Sequence, residues 1–503
     1  MSSSPSPDRS LPLHILCIMA VAAIEFIQNG MLNFAASDVM GGIGAGPEEF
    51  SYAAMAYASA AIVALSQQRR LSLAFGPRRL LRFSMLCFAA GAVVCGTAHG
   101  PADFIVGRAL QGLGAAAFFT GARVEVNRLP ERQRTAALLG FGYALLGGSA
   151  LGPLLGSLAL TLANWRWLCL GILPWTALGA LASGRFALRD DIAYQAGHAT
   201  PRALWWFAAS VLLLQYLIQQ TPYDFFGRPD ILLVVLSGLL LAAVFWLRRA
   251  RPSGVGALWR QLARRRYLIG LLYYFLCYTM VAANSYIMPL LVQQGLGFNV
   301  PTTGILLSTS FLAGIVCASV YAVLLARGRV ATLKPVMVLG MLLLAGYGLL
   351  MSGLNPDAPV WRIAVILFLN GGFMSVFIIA VAQGTFSAVD PAAFSHAYQS
   401  KNIIRQVALS SAVSLSTVFI QGRNALHYNR LSERFDAGSP WLADALAQIR
   451  IALPSFDTPH AMGLLSGELT RQSLMLSCLE FYRLEMWLGL GMALLLSLQR
   501  TFR

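Results

Sequence analysis

The sequence predicts an all-α integral membrane protein with fourteen spans, and three observations predict it. The first is composition: of 503 residues, 57% are hydrophobic and only 12% charged, with a mean hydropathy of +0.64. A soluble domain carries about 25% charged residues. The second is length. A bilayer core roughly 30 Å thick needs about 20 apolar residues per helix. Windows that meet this lie near 12–36, 50–68, 80–98, 102–122, 135–161, 166–184, 203–220, 230–247, 267–291, 303–325, 333–353, 361–386, 398–421 and 479–498. The third is charge placement. With the N-terminus inside, most of the 37 Lys and Arg residues fall on inner connections, while the short outer ones hold only Arg166, Arg228 and Arg362. A wrong span count would scramble this inside-positive alternation. Both termini are then cytoplasmic.

Taken in order, the run Leu11 to Ala36 is too long for a signal-peptide core of about 7–15 residues. It is a retained first span. Glu25 begins a polar stripe there, followed by Gln28, Asn29 and Asn33 at helical spacing. An acid inside a membrane helix is expensive and marks function by default. Glu25 reads as a proton carrier, as a ligand for a cationic substrate, or as a structural hydrogen-bond partner. The connection between spans two and three is RRLSLAFGPRRLL.

Span four holds IVGRALQGLGAAAF, in which Arg108 is followed one turn on by Gln111 and Gly112. A charge at that depth faces a partner or a cavity. Arg108 either tunes a nearby acid or bonds backbone carbonyls of a neighbouring helix. In span five, GYALLGGSALGPLLGSLA, Gly148, Gly152 and Gly156 recur every four residues, a spacing that lets helix backbones approach closely. Pro153 removes a backbone donor and bends the helix. Tight packing alone and a leak-proof seam between two states both explain the stripe.

Spans seven and eight lead into RRARPSGVGALWRQLARRR, a basic anchor for anionic headgroups. Span nine carries Tyr273, Tyr274, Tyr278 and Asn284, suited either to amphipathic ligands or to helix packing. Lys401, Asn402, Arg405 and Gln406 open span thirteen; Arg405 lines an inner vestibule or snorkels to the inner surface. The one long outer connection, 422–478, contains HYNRLSERF and PWLADALAQI, which read as amphipathic surface helices. They form a solvated cap or take part in substrate access or partner binding.

Other classes fit less well. The net charge of +16 sits at helix ends rather than in a nucleic-acid-binding patch. The seven cysteines make no C-x-x-C pair and read as small core residues. No G-x-x-x-x-G-K-[ST] is present for an ATP-driven pump. The six histidines are scattered, without H-E-x-x-H, so an integral-membrane enzyme is disfavoured and neither cofactor nor metal is expected.

GRALQGLGAAAF resembles the span-four motif R-x-x-Q-G-x-G-x-A of the major facilitator superfamily. GYALLGGSALGPLLGSLA resembles its antiporter motif G-x-x-x-G-P-x-x-G. NWRWLCLGILP and the ending RQSLMLSCLEFYRLEMWLGLG resemble signatures of the fourteen-span drug:proton antiporter branch, and the likeness covers essentially the whole chain. The resemblance implies two six-helix halves, 1–190 and 261–503, the second with the long outer loop 422–478. Two accessory helices and the basic loop occupy 191–260. It also implies proton-coupled efflux of amphipathic or hydrophobic small molecules by alternating access across an inner membrane. A dedicated exporter or facilitator of one metabolite is the alternative, and a periplasmic adaptor protein is a candidate partner. On this reading Glu25 and Arg108 couple protons. Gln28, Asn29, Asn33, Gln111, Tyr143, Tyr278 and Asn284 meet the substrate. Gly76, Arg78, Arg79, Gly112, Gly148, Gly152, Pro153, Gly156 and Arg405 gate or pack.

Two departures stand out. The branch's first-span Asp falls at Gln28 when Asn33 is aligned with its Asn, which leaves Glu25, one turn earlier, as the candidate replacement. In the connection between spans two and three, Leu73 replaces the latch Asp and Ala74 its Arg, while Gly76, Arg78 and Arg79 remain.

Overall fold

The computed structural model describes residues 11–184, 186, 201–250, 264–328, 332–387, 389, 393–433, 439–452, 457–499 and 501–502. The predicted boundary near 190 and the basic connection at 251–263 lie outside these. So does the N-terminal Arg9. Among the described residues there is no strand. The helices are α1 (Leu11–Phe34), α2 (Ala36–Ile43), α3 (Pro47–Phe75), α4 (Pro77–Gly96), α5 (Pro101–Arg128) and α6 (Glu131–Leu162). Then come α7 (Trp167–Leu170), α8 (Leu173–Ser183), α9 (Pro201–Gly227) and α10 (Pro229–Ala250). The remainder are α11 (Arg265–Pro289), α12 (Val300–Ala326), α13 (Leu333–Ser352), α14 (Val360–Phe386), α15 (Phe394–Ser432), α16 (Pro440–Ala452) and α17 (Thr458–Leu498).

Eleven helices among the described residues are long and apolar enough to cross a membrane. The other three predicted stretches are also helical, in α3, α7–α8 and α9, and each has a reason for its weaker signal. Helix α3 carries Glu48, Glu49, Arg69 and Arg70. Helices α7 and α8 are separated at Gly171–Ile172, just before Pro174. Helix α9 holds Gln215, Gln219 and Gln220, all buried.

The outer segment is helical at both predicted stretches, HYNRLS at the end of α15 and PWLADALAQI in α16, but the flanking spans reach further into it than predicted. Helix α15 runs on to Ser432, and α17 begins at Thr458, some twenty residues before the predicted last span. Ser473 of α17 donates to Asn424 Oδ1 of α15 at 2.7 Å, and Arg423 pairs with Glu480. Polar residues on the facing sides of both helices therefore extend the bundle, where hydropathy reads only a break. Asp457 starts α17 by accepting the backbone N–H of His460 at 3.0 Å, the usual work of an N-cap acid.

Two bundles emerge from the packing. In the first, α1 lies on α6, and α5 on α3 and α4; in the second, α12 lies on α14, α13 on α17, and α11 on α15. The bundles meet chiefly along α6 against α12 and α3 against α15, and α1 also touches the second bundle at α11. Helix α9 leans on both α3 and α15, and α10 packs on α9. Helix α9 is hydrogen-bonded to each side: Gln220 donates to Ser51 Oγ of α3 at 2.9 Å, and Gln219 to the Ser410 carbonyl of α15 at 3.4 Å.

Glycines set how close these helices come, because helix association in lipid rests on van der Waals fit rather than on water exclusion. A Cβ on Gly152 would lie 2.6 Å from Gly30 Cα, and one on Gly156 would lie 3.1 Å from the Phe34 ring. Gly148 sits as tightly on Ala23 and Phe26. The stripe thus clamps α1 to α6, with Pro153 inside the clamp. The same helix closes the inter-bundle seam through its other face, where Ser308 of α12 donates to the Ala150 carbonyl at 2.7 Å.

Candidate functional site

Clamping α1 by Ala23, Phe26, Gly30 and Phe34 turns Glu25 away from α6 and toward the other bundle. There Arg405 Nη2 of α15 donates to Glu25 Oε1 at 2.8 Å, with the two side chains 5% and 2% exposed. Gln406 Nε2 donates to the same oxygen at 3.2 Å, and the Tyr57 hydroxyl of α3 donates to it at 3.5 Å. Glu25 is therefore not the isolated carboxylate that α1 alone suggests. It forms a buried ion pair across the two bundles, between residues 380 positions apart.

Arg108 lies one layer behind. Its Nη1 donates to Gln111 Oε1 at 2.7 Å and its Nη2 to Asn29 Oδ1 at 3.4 Å. Its guanidinium stacks 4.1 Å from the Tyr57 ring centroid, a cation–π contact. Gly112 permits this, since a Cβ there would lie 2.3 Å from the Tyr57 carbonyl oxygen. Asn29 Nδ2 donates to the Tyr57 hydroxyl at 3.2 Å. Arg108 thus reaches Glu25 only through Asn29 and Tyr57, so it holds the acid's partners rather than the acid.

The third part is Lys401, one turn before Arg405 and 3% exposed. Its ammonium donates to Asn402 Oδ1 at 3.1 Å and faces four aromatic rings. The centroids of Phe119 and Tyr398 are 4.6 and 4.8 Å away, those of Tyr274 and Tyr278 5.4 and 5.6 Å. Asn402 in turn donates to Thr120 Oγ1 of α5 at 3.3 Å. Tyr274 and Tyr278 stack on each other with centroids 5.8 Å apart.

The remaining sequence candidates distribute around this centre. Tyr143 is hydrogen-bonded to Ser319 at 2.8 Å across the α6–α12 seam. Gln28 donates to the Leu168 carbonyl at 3.2 Å, inside the first bundle. Asn284 donates to Glu485 Oε1 at 2.6 Å, inside the second bundle. Asn33 is exposed. The stripe splits because, at about 100° per residue, Gln28 points about 60° to one side of Glu25 while Asn29 and Asn33 point about 40° and 80° to the other. At the α3–α4 turn, Gly76 adopts φ +79°, a left-handed backbone that favours glycine, and Arg78 donates to the Phe186 carbonyl at 2.9 Å. Arg79 is exposed. Arg166 of the W-R-W stretch donates to the Gly96 and Ala98 carbonyls at 3.2 and 2.8 Å, closing the end of α4.

Sequence reasoning missed Tyr57, Phe119, Thr120, Tyr398 and Gln406 as site residues, and left Lys401 unassigned. The legible signal was the spacing of Lys401, Asn402, Arg405 and Gln406, one polar face at i, i+1, i+4 and i+5 on a membrane helix.

Known proteins resemble this chain along its length. Multidrug export protein EmrB of Haemophilus influenzae is 21% identical over 453 residues, which cover 87% of this chain and 86% of that protein. Multidrug resistance protein 3 of Bacillus subtilis is 19% identical over 86% of this chain and 84% of its own. Puromycin resistance protein pur8 of Streptomyces alboniger is 28% identical over 70% of each. Among solved structures, a bacterial homologue of the human lysosomal transporter Spinster, inward-facing and unoccupied, superposes with a TM-score of 0.60. It covers 99% of this chain and 98% of that one at 12% identity, a likeness of fold alone. The family model of the Major Facilitator Superfamily matches residues 18–412, most of both bundles, and the chain belongs to that superfamily.

Proposed function

We propose that this protein is a secondary active exporter of amphipathic small molecules, coupled to protons and working by alternating access between its two bundles. The observation that carries the reading is the Glu25–Arg405 pair. A buried ion pair that joins two bodies must be exchanged when they separate, because an uncompensated charge at that depth is costly. Protonating Glu25 neutralises one member and lets Arg405 change partners. Gln406 and Tyr57 then keep the neutral carboxyl hydrogen-bonded. The export direction rests on the multidrug-resistance names of relatives near 20% identity.

The same reading has fourteen spans in an inner membrane, both termini inside and, as the family resemblance implies, a periplasmic adaptor as a candidate partner. A dedicated carrier of one metabolite is the second reading. It is favoured by the missing Asp and Arg of the α3–α4 connection, where Leu73 and Ala74 stand.

The test is flux in proteoliposomes loaded with a pH dye, using lipophilic cations, neutral drugs and weak acids in turn. Wild type is expected to show compound-dependent proton movement, and Glu25→Gln to lose it while remaining monodisperse with a cooperative melt. Equal proton flux in both proteins would remove Glu25 from the coupling. Compound flux without proton flux in wild type would favour the facilitator form.

A further inference from the structure

We propose that the cargo bound between the bundles is an organic anion with a flat aromatic or apolar body, its charged head held by Lys401 and Arg405. This rests on the transporter reading above and names the class of molecule carried.

Charge bookkeeping points there first. Among the described residues, three buried cations, Arg108, Lys401 and Arg405, lie between the bundles with one buried carboxylate, Glu25, which pairs with Arg405 alone. The other buried carboxylates are engaged elsewhere: Glu125 with His14 at 3.1 Å and Glu485 with Asn284 at 2.6 Å. The charged groups that bear on Lys401 are Arg405, Arg123 and Glu25, two of them of its own sign. No carboxylate among the described residues lies within ion-pairing distance of its ammonium. Burying cations without counter-charge is unfavourable, and an arriving anion offsets it.

The hydrogen-bond inventory points the same way. Lys401 has three N–H donors, and among the described residues its one hydrogen-bond acceptor is Asn402 Oδ1. Arg405 spends Nη2 on Glu25, while its Nε is buried without an acceptor. Two donors of unmet capacity, one helical turn apart on α15, suit the two oxygens of a carboxylate or sulfonate. Glu25, by contrast, already accepts from Arg405, Gln406 and Tyr57, which leaves a cationic cargo a crowded and outnumbered counter-ion.

The walls supply the body's shape. Phe119 and Tyr398 stack nearly parallel, with centroids 5.7 Å apart and 6° between planes, and Phe119 lies beneath both the Lys401 and Arg405 heads. Aromatic faces steady a cation by cation–π attraction without neutralising it. They also offer flat apolar surface to whatever follows the anionic head.

A matched set of ligands tests this. Purified protein is titrated calorimetrically with 1-naphthoate, 1-naphthalenemethanol and 1-naphthylmethylammonium, and with biphenyl and dodecyl bodies bearing the same three heads. The carboxylate is expected to bind at least about tenfold tighter than the alcohol in one or more bodies, since a charge-assisted bond is worth that much. Lys401→Gln should erase the difference and Lys401→Arg should keep it. Tightest binding of the ammonium head, equal binding of all three heads in every body, or no binding by any of them would each overturn the assignment. So would a carboxylate preference unchanged in a well-folded Lys401→Gln. The ranking in wild type needs no variant, so a misfolded substitution does not rescue the idea. Carboxylate preference without liposome flux would overturn the transporter reading and leave the anion site. Flux restricted to cations would do the reverse.

Discussion

Glu25 and Glu485 are both membrane-embedded carboxylates, 2% and 1% exposed, yet their surroundings differ in kind. Glu25 stands on the seam and is held by a guanidinium from the opposite bundle. Glu485 lies inside the second bundle and is held by a neutral amide, Asn284, on a helix of that same bundle. The first bond must break if the bundles part; the second rides along. Burial alone therefore does not mark a working acid. On the proposed alternating-access reading, what marks it is a partner on the opposite bundle.

The largest expected effect comes from orphaning the seam acid. Arg405→Ala leaves Glu25 buried without its cation, and loss of one member of such a pair costs about 3–5 kcal/mol. Thermal unfolding in detergent should drop steeply, and Glu25→Gln in the Arg405→Ala background should recover much of it. A drop that the second substitution leaves untouched would assign Arg405 a packing role instead.

Next is the clamp that aims Glu25. Gly152→Val drives a branched side chain into the Gly30 backbone, and overpacking of this kind costs about 1–3 kcal/mol. Gly147→Ala, where an added Cβ meets nothing within 4 Å, serves as control. The clamp variant should lose both stability and compound flux, and a spin-label pair on α1 and α15 should report their separation. Unchanged label distances would detach the clamp from the ion pair.

Asn284→Ala sharpens the contrast from the other side. It removes the amide that donates to Glu485 Oε1, about 1–3 kcal/mol for a buried polar group left unpaired. Stability should fall by that order while flux of the retained protein, normalised to folded fraction, stays within about twofold. A flux loss as large as that of Glu25→Gln would erase the distinction between the two acids. Smallest of all is Arg423→Gln, which breaks a pair 43% and 25% exposed on the outer extension. Pairs of that kind are worth about 0–1 kcal/mol, so the melting point should barely move.

Much of the fold was legible because span length and charge alternation are imposed by the bilayer itself. Each predicted stretch lies in helical backbone, 166–184 split between α7 and α8, and the small-residue stripe of α6 packs as its spacing suggests. Less of the site was legible. Glu25 and Arg405 were visible separately, but their partnership depends on how two bundles are juxtaposed, which periodicity within one helix does not encode. Gln28 and Asn33 share a stripe with Glu25 on paper. Neighbours on several sides of α1 then pull Gln28 into the first bundle's core and leave Asn33 exposed. The outer extensions of α15 and α17 escaped because their polar residues bond each other, as in Ser473 with Asn424, and hydropathy counts only their polarity.

Helix α9 is hydrogen-bonded to both bundles, through Gln220 to Ser51 and through Gln219 to Ser410. If the bundles rock, this helix cannot stay fixed to both. One bond must rupture and re-form in every cycle, at about 1 kcal/mol each way. On the proposed alternating-access reading, the accessory pair would act as a friction bearing, its grip on the two bundles bearing on turnover rather than on affinity.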